Sequence, residues 1–522
     1  MLTRNTTMDY RSKIASSFQL IGCIVLLLTA SLSVFADSRP RAAKSTMTSN
    51  AVKPNLIIIF IDDLGYGDIG PFSPRINYTP HLDRMASEGR KFTNFYVASS
   101  VCTPSRAAIM TGCYPVRVDM LYNQTRPPLP HASVLWPGDP KGLNPEEITI
   151  AQVLKDRGYA TACIGKWHLG DQPPFLPTQQ GFDEFFGIPN GHDMGRGAKP
   201  YLLPPPMVKN ETVIEELDRE DFGGLTKRYT EYALDFIQRN AEQPFFIYLP
   251  HNMVHGPHAA SPAFLNKTGR GLYADTVAEI DWSVGQILHR LVELGMDERT
   301  LVLFTSDNGG GHFKKMRVRN ASNAPFSGGK ATAAEGGFRA PTIVWWPKTI
   351  KAGSTTDLMA SVIDLLPTFA SLAGEAFKAR VPIDGIDVSS LFRQELPQSS
   401  PRNTFAFYGY FNAEDQYREN NEILLHAVRE AHWKYYPKPT RFLRVGSDEY
   451  LEIPQGALYN LNADPGEINN LAKQHPEVSD RLKALSHSFA RELGDEGHVG
   501  SGVRKAGLVK DGKPINYSAS GP

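Results

Sequence analysis

The chain has 522 residues, of which 41% are hydrophobic, so it is long enough to form one large domain and a smaller one. Its 55 Lys and Arg residues balance 55 Asp and Glu residues. This balance excludes recruitment to nucleic acid or to an anionic membrane by net charge, and we expect no nucleic-acid partner. Any anion must therefore be bound by a local cluster of groups.

The first 36 residues have the pattern of a cleaved secretory signal peptide. Basic residues precede an apolar run from Leu20 to Leu32, and small residues precede Asp37. The apolar run is short for a membrane span, so we expect no stable membrane insertion. Residues 37–53 are polar and lack periodicity, which is typical of a disordered leader. The N-terminus therefore predicts a secreted or periplasmic protein.

Five apolar runs with strand character follow, and most of them end in polar residues. The first, 55–61, is a continuous β-branched run that is typical of a strand buried on both faces of a parallel sheet. The other runs are 160–165, 245–249, 301–305 and 342–346. Amphipathic helical patterns lie between them. This alternation predicts an α/β domain over residues 54–400, with a large, mostly parallel sheet sandwiched by helices.

The character of the sequence changes past residue 400. Short aromatic runs are separated by polar turns, and a helical pattern spans 477–493. We predict a smaller C-terminal α+β subdomain over residues 401–495, with an antiparallel sheet and a packed helix. Residues 496–522 are rich in Gly, Lys and Ser, and we expect them to form a flexible tail.

The polar residues at the strand ends predict a composite site, because open α/β folds bind ligands at the carboxyl edge of the sheet. Asp62 and Asp63 follow the first strand, and Asp307 and Asn308 follow a later one. These four side chains offer only hard oxygen ligands, which suit Ca²⁺ or Mg²⁺ and suit Zn²⁺ poorly. Ligand chemistry alone leaves the choice between Ca²⁺ and Mg²⁺ open.

Cys102 is followed by Pro104, Ser105 and Arg106, and then by an apolar run with helical spacing. The pattern places the sulfur at the start of a helix, where backbone N–H groups and Arg106 favour a bound or developing anion. A nucleophile for an anionic ester would lie at such a position. The alternative for a lone cysteine is a buried structural residue.

The run from Cys102 to Arg106, with the Ala-x-x-x-Thr-Gly that follows, resembles the signature of the type I sulfatases. The segments Lys166 to Gly170 and Gly187 to Asp193 are similar to the arylsulfatase A and N-acetylgalactosamine-6-sulfatase branch. This resemblance implies an alkaline-phosphatase-like fold and a sulfuric ester hydrolase. It also implies that a maturation enzyme converts Cys102 to formylglycine (3-oxoalanine). The family usually has Arg or Lys just after Thr-Gly, where this chain has Cys113.

The resemblance implies a role for each polar residue of the composite site. The implied ligands of Ca²⁺, which it favours over Mg²⁺, are Asp62, Asp63, Asp307, Asn308 and modified Cys102. The implied catalytic residues are Cys102, Arg106, Lys166, His168, His255 and Lys330. The expected contacts to the substrate are Lys166, His255, Lys330, His192 and Asp193.

In the implied reaction, one hydroxyl of the formylglycine hydrate attacks sulfur while Asp307 acts as the base. Two lysines neutralise the sulfuryl oxygens, and His255 protonates the leaving alcohol. His168 then takes the proton from the second hydroxyl, and sulfate is expelled. The expected substrate is a sulfated carbohydrate or a small sulfated molecule.

Two alternatives to this function stay open. A phosphonate or phosphate ester hydrolase of the same superfamily would bind a group of nearly the same shape. A secreted carbohydrate-binding protein without catalysis would require Cys102 to remain a thiol. The lysines and histidines expected around one nucleophile argue against a pure binding protein.

Overall fold

The computed structural model contains a ten-stranded sheet, to which the predicted apolar strands belong. The structure describes residues 53–515 except 74–76, 124, 126–133, 196–202, 312–320, 375 and 410–423. The strands of this sheet are β1 (Asn55–Ile61), β2 (Arg90–Phe92), β3 (Ala160–Lys166), β4 (Glu184–Ile188), β5 (Pro206–Lys209), β6 (Thr212–Glu216), β7 (Phe245–His251), β8 (Thr300–Ser306), β9 (Thr342–Trp345) and β10 (Ser354–Thr356). Their order across the sheet is β10-β2-β9-β8-β1-β7-β3-β4-β5-β6. The predicted signal peptide, residues 37–52 of the predicted leader and residues 516–522 lie outside the described residues.

The centre of the sheet is parallel. Strand β1 pairs in parallel with β7 and β8, and β3 pairs in parallel with β7 and β4. The flanks are mixed, since β9 runs antiparallel to β8 and β5 runs antiparallel to β4. All residues of β1 are buried, as a strand covered on both faces requires. The mostly parallel α/β sheet predicted from the sequence is therefore confirmed.

The described residues contain eight α-helices, several of which cover the two faces of the sheet. Within the described residues they are α1 (Pro80–Glu88), α2 (Cys102–Thr111), α3 (Ile150–Lys155), α4 (Leu225–Arg239), α5 (Leu272–Glu293), α6 (Glu335–Phe338), α7 (Leu365–Leu372) and α8 (Pro476–Leu493). Alternate side chains of β1 belong to two separate hydrophobic cores, one shared with α2, α3 and α7 and the other with α1, α4 and α5. None of the helices in this part of the chain is long and apolar enough to cross a membrane.

A second, four-stranded antiparallel sheet follows the large one in the chain. Its strands, in their order across the sheet, are β11 (Thr404–Tyr408), β12 (Leu425–Glu430), β13 (Trp433–Tyr436) and β14 (Ala457–Asn460). Helix α8 packs against β12 and β13. It starts with Pro476, whose fixed φ suits the first helical position, and stops at Gly494. The smaller antiparallel sheet with a packed helix is confirmed.

The chain after α8 differs from the flexible tail expected for residues 496–522. Gly507–Leu508 pairs antiparallel with Lys141–Gly142, and Arg504 forms a 2.7 Å ion pair with Glu147. A Cβ atom at Gly507 would lie 2.5 Å from the ring of Phe175, so only glycine allows this close approach. A two-residue strand has no periodicity, which is why the sequence pattern did not reveal this pairing.

Candidate active site

Helix α2 carries Cys102 as its first residue. The preceding Val101 is extended, and the helix ends at Gly112 with φ 67°, a left-handed conformation that favours glycine. The hydroxyl of Thr103, in the first turn, donates a 3.1 Å hydrogen bond to the carbonyl of His168, just beyond β3. This bond ties the start of the helix to the carboxyl edge of the large sheet.

The predicted carboxylates meet at this edge. Asp62 and Asp63 follow β1 and Asp307 follows β8, and these two strands are parallel neighbours with Ile61 opposite Ser306. One ligand atom each from Asp62, Asp63, Cys102 and Asp307 lies within 4.8 Å of the others. Asp63 has φ 62°, which is uncommon outside glycine and is found where structure around a functional site enforces it.

Each carboxylate of this cluster has its own cation. The Nζ of Lys166 lies 2.5 Å from Asp62 Oδ2, and the Nζ of Lys330 lies 2.7 Å from Asp63 Oδ1. The Nη2 of Arg106 donates a 2.8 Å hydrogen bond to Asp307 Oδ2, and its Nη1 donates to the carbonyl of Lys166. Ionised groups can be buried when each of them is paired with an opposite charge. Arg106 thus orients Asp307.

These pairings shift the pKa values of the carboxyl groups. Burial alone would raise the pKa of Asp62, but the charges of Lys166, His255 and Arg106 outweigh it and hold that pKa well below the usual value. The pKa of Asp307 is raised to about 7, chiefly by burial and then by repulsion from Asp62. Asp62 is therefore ionised at neutral pH, and Asp307 is the more basic of the two carboxyl groups.

The sulfur of Cys102 lies inside the cluster. Its Sγ is 3.3 Å from Asp62 Oδ1 and 3.7 Å from the Nζ of Lys330. Burial, and then repulsion from Asp62, raise the pKa of this thiol well above its usual value. Lys166 and Lys330 lower this pKa but do not overcome these effects, so the unmodified thiol stays protonated and is a poor nucleophile.

The donor set of the cluster fits a hard divalent cation. Carboxylate oxygens come from Asp62, Asp63 and Asp307, and an amide oxygen comes from Asn308. The Nδ2 of Asn308 donates a 2.7 Å hydrogen bond to Asp63 Oδ1, while its Oδ1 is buried with no hydrogen-bond partner among the described residues. A buried oxygen without a donor, next to three carboxylates, is expected where a cation binds.

His168 presents one bare ring nitrogen. Its Nε2 lies 2.9 Å from the carbonyl of Leu135, which can only accept, so Nε2 carries the proton. Its Nδ1 is buried with no partner within the described part of the chain. Burial, followed by the charges of Lys166 and Arg106, lowers the pKa of His168 well below the usual value. The residue is therefore a neutral imidazole with a free lone pair.

His255 lies at the rim of the cluster, next to His192 and Asp193, two of the other predicted substrate contacts. Its Nε2 is 3.6 Å from Asp63 Oδ2, and its Nδ1 is 3.9 Å from Asp193 Oδ1. The ring of His192 is centred 6.0 Å from that of His255, but its Nε2 bonds the carbonyl of Pro257 at 3.2 Å. Asp193 thus faces the cluster, whereas the hydrogen bond between His192 and the Pro257 carbonyl holds the loop that contains Pro257.

The loop that carries Lys330 is held by residues that sequence reasoning missed. Lys434 in β13 donates a 2.8 Å hydrogen bond to the carbonyl of Ala333, and its Nζ lies 3.1 Å from Glu335 and 2.9 Å from Glu467. The backbone N–H of Glu335 donates to Glu467 Oε2 at 2.7 Å. A lysine inside an otherwise aromatic strand was the only sequence signal for this anchor.

The fold and the site define an α/β protein with a buried cluster of carboxylates, lysines and a cysteine at the carboxyl edge of its central sheet. Comparison with known proteins identifies its family. The chain matches the sulfatase family over residues 54–375, and the C-terminal region of N-sulphoglucosamine sulphohydrolase over residues 329–492. It therefore belongs to the sulfatase family and is a sulfuric ester hydrolase.

Individual relatives agree with this assignment over most of the chain. Human arylsulfatase A is 37% identical, over 83% of this chain and 87% of that protein. Mouse N-acetylgalactosamine-6-sulfatase is 35% identical, over 88% and 87%. The crystal structure of Ps i-CgsB superposes with a TM-score of 0.68 at 27% identity, covering 84% of this chain and 93% of that one. The same protein has been solved with k-i-k-neocarrahexaose.

Proposed function

We propose that this sulfatase removes sulfate from a sulfated carbohydrate, with a formylglycine made from Cys102 as nucleophile and Ca²⁺ as cofactor. The observation that carries the proposal is the environment of Cys102. Its sulfur lies 3.3 Å from Asp62 in a buried cluster that keeps the thiol protonated. A thiol there is a poor nucleophile, whereas an oxygen nucleophile derived from an aldehyde hydrate suits hard neighbours.

The cation would be held by Asp62, Asp63, Asp307 and Asn308, together with the modified residue 102. When bound, it would act as a Lewis acid beside the nucleophile and the sulfuryl group. The oxygen ligands that Asp62, Asp63, Asp307 and Asn308 offer support Ca²⁺ or Mg²⁺, and we propose Ca²⁺ from the resemblance of the site to the family pattern.

The remaining roles are proposed from the family pattern, and the positions of the residues support them. Lys166 and Lys330, which pair with Asp62 and Asp63, would neutralise charge on the sulfuryl oxygens. His255, at the rim, would protonate the leaving alcohol. His168, whose Nδ1 has no partner among the described residues, would accept a proton from the second hydroxyl of the hydrate. Arg106 positions Asp307, the proposed base for the first hydroxyl, through their 2.8 Å hydrogen bond.

The substrate class is inferred from relatives and from the N-terminus. Ps i-CgsB binds a neocarrahexaose, and one curated relative is named for N-acetylgalactosamine 6-sulfate. The pattern of residues 1–36 predicts export, which fits an enzyme that meets extracellular sulfated glycans. N-terminal sequencing of the mature protein would test the predicted cleavage after Ala36.

The decisive experiment is mass spectrometry of the peptide that contains Cys102, from protein made in its own host, with turnover measured on the same sample. We expect the mass change from a thiol to an aldehyde, and hydrolysis of 4-nitrophenyl sulfate in preference to 4-nitrophenyl phosphate. Active protein with an unmodified thiol would overturn the nucleophile. Preference for the phosphate ester would support a phosphatase instead.

A further inference from the structure

A closed ring of three hydrogen bonds joins the start of α2 to the loop beyond β3. The hydroxyl of Thr103 donates to the carbonyl of His168 at 3.1 Å, and the Nε2 of His168 lies 2.9 Å from the carbonyl of Leu135. The N–H of Leu135 donates back to the hydroxyl oxygen of Thr103 at 3.1 Å. We call these three residues the Thr103 ring, and all of them are buried. Thr103 directly follows Cys102, so the Thr103 ring lies beside the proposed nucleophile.

The direction of each bond in the Thr103 ring is fixed by its donors and acceptors. The N–H of Leu135 can only donate, so the hydroxyl of Thr103 accepts there and gives its single proton to the carbonyl of His168. The carbonyl of Leu135 can only accept, so Nε2 carries the imidazole proton. Nδ1 is then the nitrogen with the lone pair, and it has no partner among the described residues. The Thr103 ring therefore selects one tautomer of His168 and holds its backbone.

The loop that contains Leu135 is also held from outside the Thr103 ring. The N–H of Trp136 donates to Oδ2 of Asp139 at 2.5 Å. The N–H of Val509, in the C-terminal segment, donates to the carbonyl of Pro140 at 2.9 Å. These bonds hold the chain just after Leu135. The carbonyl of Leu135 is therefore a fixed acceptor to which the imidazole is aligned.

The tautomer of His168 matters for one half of the proposed reaction. In the first half, the alcohol is released and the sulfate becomes bonded to residue 102, and His168 takes no part. In the second half, Nδ1 of His168 takes the proton of the remaining hydroxyl while the bond from the carbon of residue 102 to the sulfate oxygen breaks and the C=O double bond re-forms. Sulfate leaves with the electron pair of that bond, and water restores the hydrate. An imidazole with its proton on Nδ1 has no lone pair there to accept the hydroxyl proton.

We propose that Thr103 is a positioning residue for the release of sulfate. Its hydroxyl holds Leu135 and the backbone of His168 so that the imidazole keeps Nδ1 bare. Without this hydroxyl the N–H of Leu135 loses its acceptor, and the alignment that fixes the proton on Nε2 is loosened. This inference rests on the proposed function, because it assumes a formylglycine made from Cys102 and the role given to His168.

The test compares Thr103→Val, which has nearly the same shape but no hydroxyl, with Thr103→Ser, which keeps the hydroxyl. Alcohol release from 4-nitrophenyl sulfate is followed by rapid mixing, and each rate is expressed per aldehyde, measured by mass spectrometry of the peptide that contains Cys102. We expect Thr103→Val to keep the rate of the first burst and to lower steady turnover about tenfold. The sulfated form of residue 102 should then accumulate, with the added mass of SO₃ in acid-quenched samples. Thr103→Ser should restore turnover and remove the accumulation.

Thr149→Val is the matched control for the loss of a buried hydroxyl. Thr149 is buried at the start of α3, where its hydroxyl donates to the carbonyl of Gln180 at 2.6 Å and accepts the N–H of Gln152 at 3.1 Å. Both valine variants should lower the melting temperature to a similar extent. Thr149→Val should nevertheless keep the wild-type ratio of burst rate to steady rate, because its bonds do not involve His168.

Asp139→Ala tests the same alignment without changing the signature around Cys102, so it does not depend on the maturation of a Thr103 variant. It removes the carboxylate that accepts the N–H of Trp136, the residue after Leu135. We expect steady turnover to fall while the rate of the first burst is kept, as in Thr103→Val.

Equal losses of the burst and of steady turnover in Thr103→Val would overturn the inference, as would a Thr103→Ser variant that behaves like the valine variant. Wild-type kinetics in both Thr103→Val and Asp139→Ala would overturn it as well. Failure of the proposed function has a different signature, which appears in the wild type: the Cys102 peptide carries no aldehyde, or the protein releases no sulfate from 4-nitrophenyl sulfate.

Discussion

Replacing Lys434 by methionine should destabilise the protein strongly, because this lysine neutralises two buried carboxylates. Lys434, Glu335 and Glu467 are all fully buried. Burial alone would raise the pKa of Glu335, but Lys434 and then Arg339 outweigh it and lower that pKa to about 2. The variant would leave buried charge without its partner, and the carbonyl of Ala333 would keep only the longer 3.4 Å hydrogen bond from the Tyr436 hydroxyl among the described residues.

The expected loss follows from this geometry. Removing one partner of a buried ion pair costs about 3–5 kcal/mol. The lower end applies here, because Arg339 remains 2.7 Å from Glu335 and because Glu467, whose pKa is raised chiefly by burial, can take up a proton. We therefore expect the free energy of unfolding to fall by about 3 kcal/mol. Turnover should also fall, since the loop of Lys330 loses its anchor.

The assay is urea unfolding followed by tryptophan fluorescence, with sulfate release measured on the same samples. Lys227→Met is the matched control, because Lys227 is 54% exposed in an i,i+4 pair with Glu231. That exposed pair should contribute less than about 0.5 kcal/mol. Adding Glu467→Gln to Lys434→Met should recover part of the loss by removing one unpaired charge. A Lys434→Met variant as stable as the control would refute the reasoning.

Three further predictions concern the metal and two histidines. Chelation by EDTA should abolish turnover and lower the melting temperature, because it removes the cation that we propose is held at residue 102. Ca²⁺ should restore both properties better than Mg²⁺ does, and full activity in EDTA would contradict this prediction. His168→Ala should keep a first burst of alcohol release from an aryl sulfate in rapid-mixing experiments but slow steady turnover, whereas loss of the burst itself would contradict the assigned role. Burial lowers the pKa of His251 to about 3, whereas the unfolded chain has a value of about 6.5. Between these two values the unfolded state binds one more proton than the folded state. The free energy of unfolding should therefore fall as pH drops below about 6.5, by up to about 1.4 kcal/mol per pH unit. The stability difference between wild type and His251→Gln should therefore shrink from pH 7 to pH 5 in urea titrations, and a constant difference would contradict the prediction.

The sequence by itself determined the class of the fold and the composition of the site. Continuous apolar and β-branched runs such as 55–61 indicate strands covered on both faces, and the alternation with helices favours a largely parallel sheet. Parallel neighbours end at the same edge, so Asp62 and Asp307 had to come close once β1 and β8 were adjacent. The local pattern around Cys102 fixed the start of α2.

Only the tertiary structure decided how these groups are paired and held. Whether Arg106 contacts Asp307 or residue 102 depends on side-chain directions across separate strands, which no local pattern encodes. The hydrogen bond from Lys434 to Ala333 joins residues 101 positions apart, and the pairing of Gly507–Leu508 with Lys141–Gly142 joins segments that are still farther apart in the chain. Periodicity and turn chemistry report only on neighbours in the chain, whereas contacts of this kind are chosen by the complementary shape and charge of surfaces that exist only after folding.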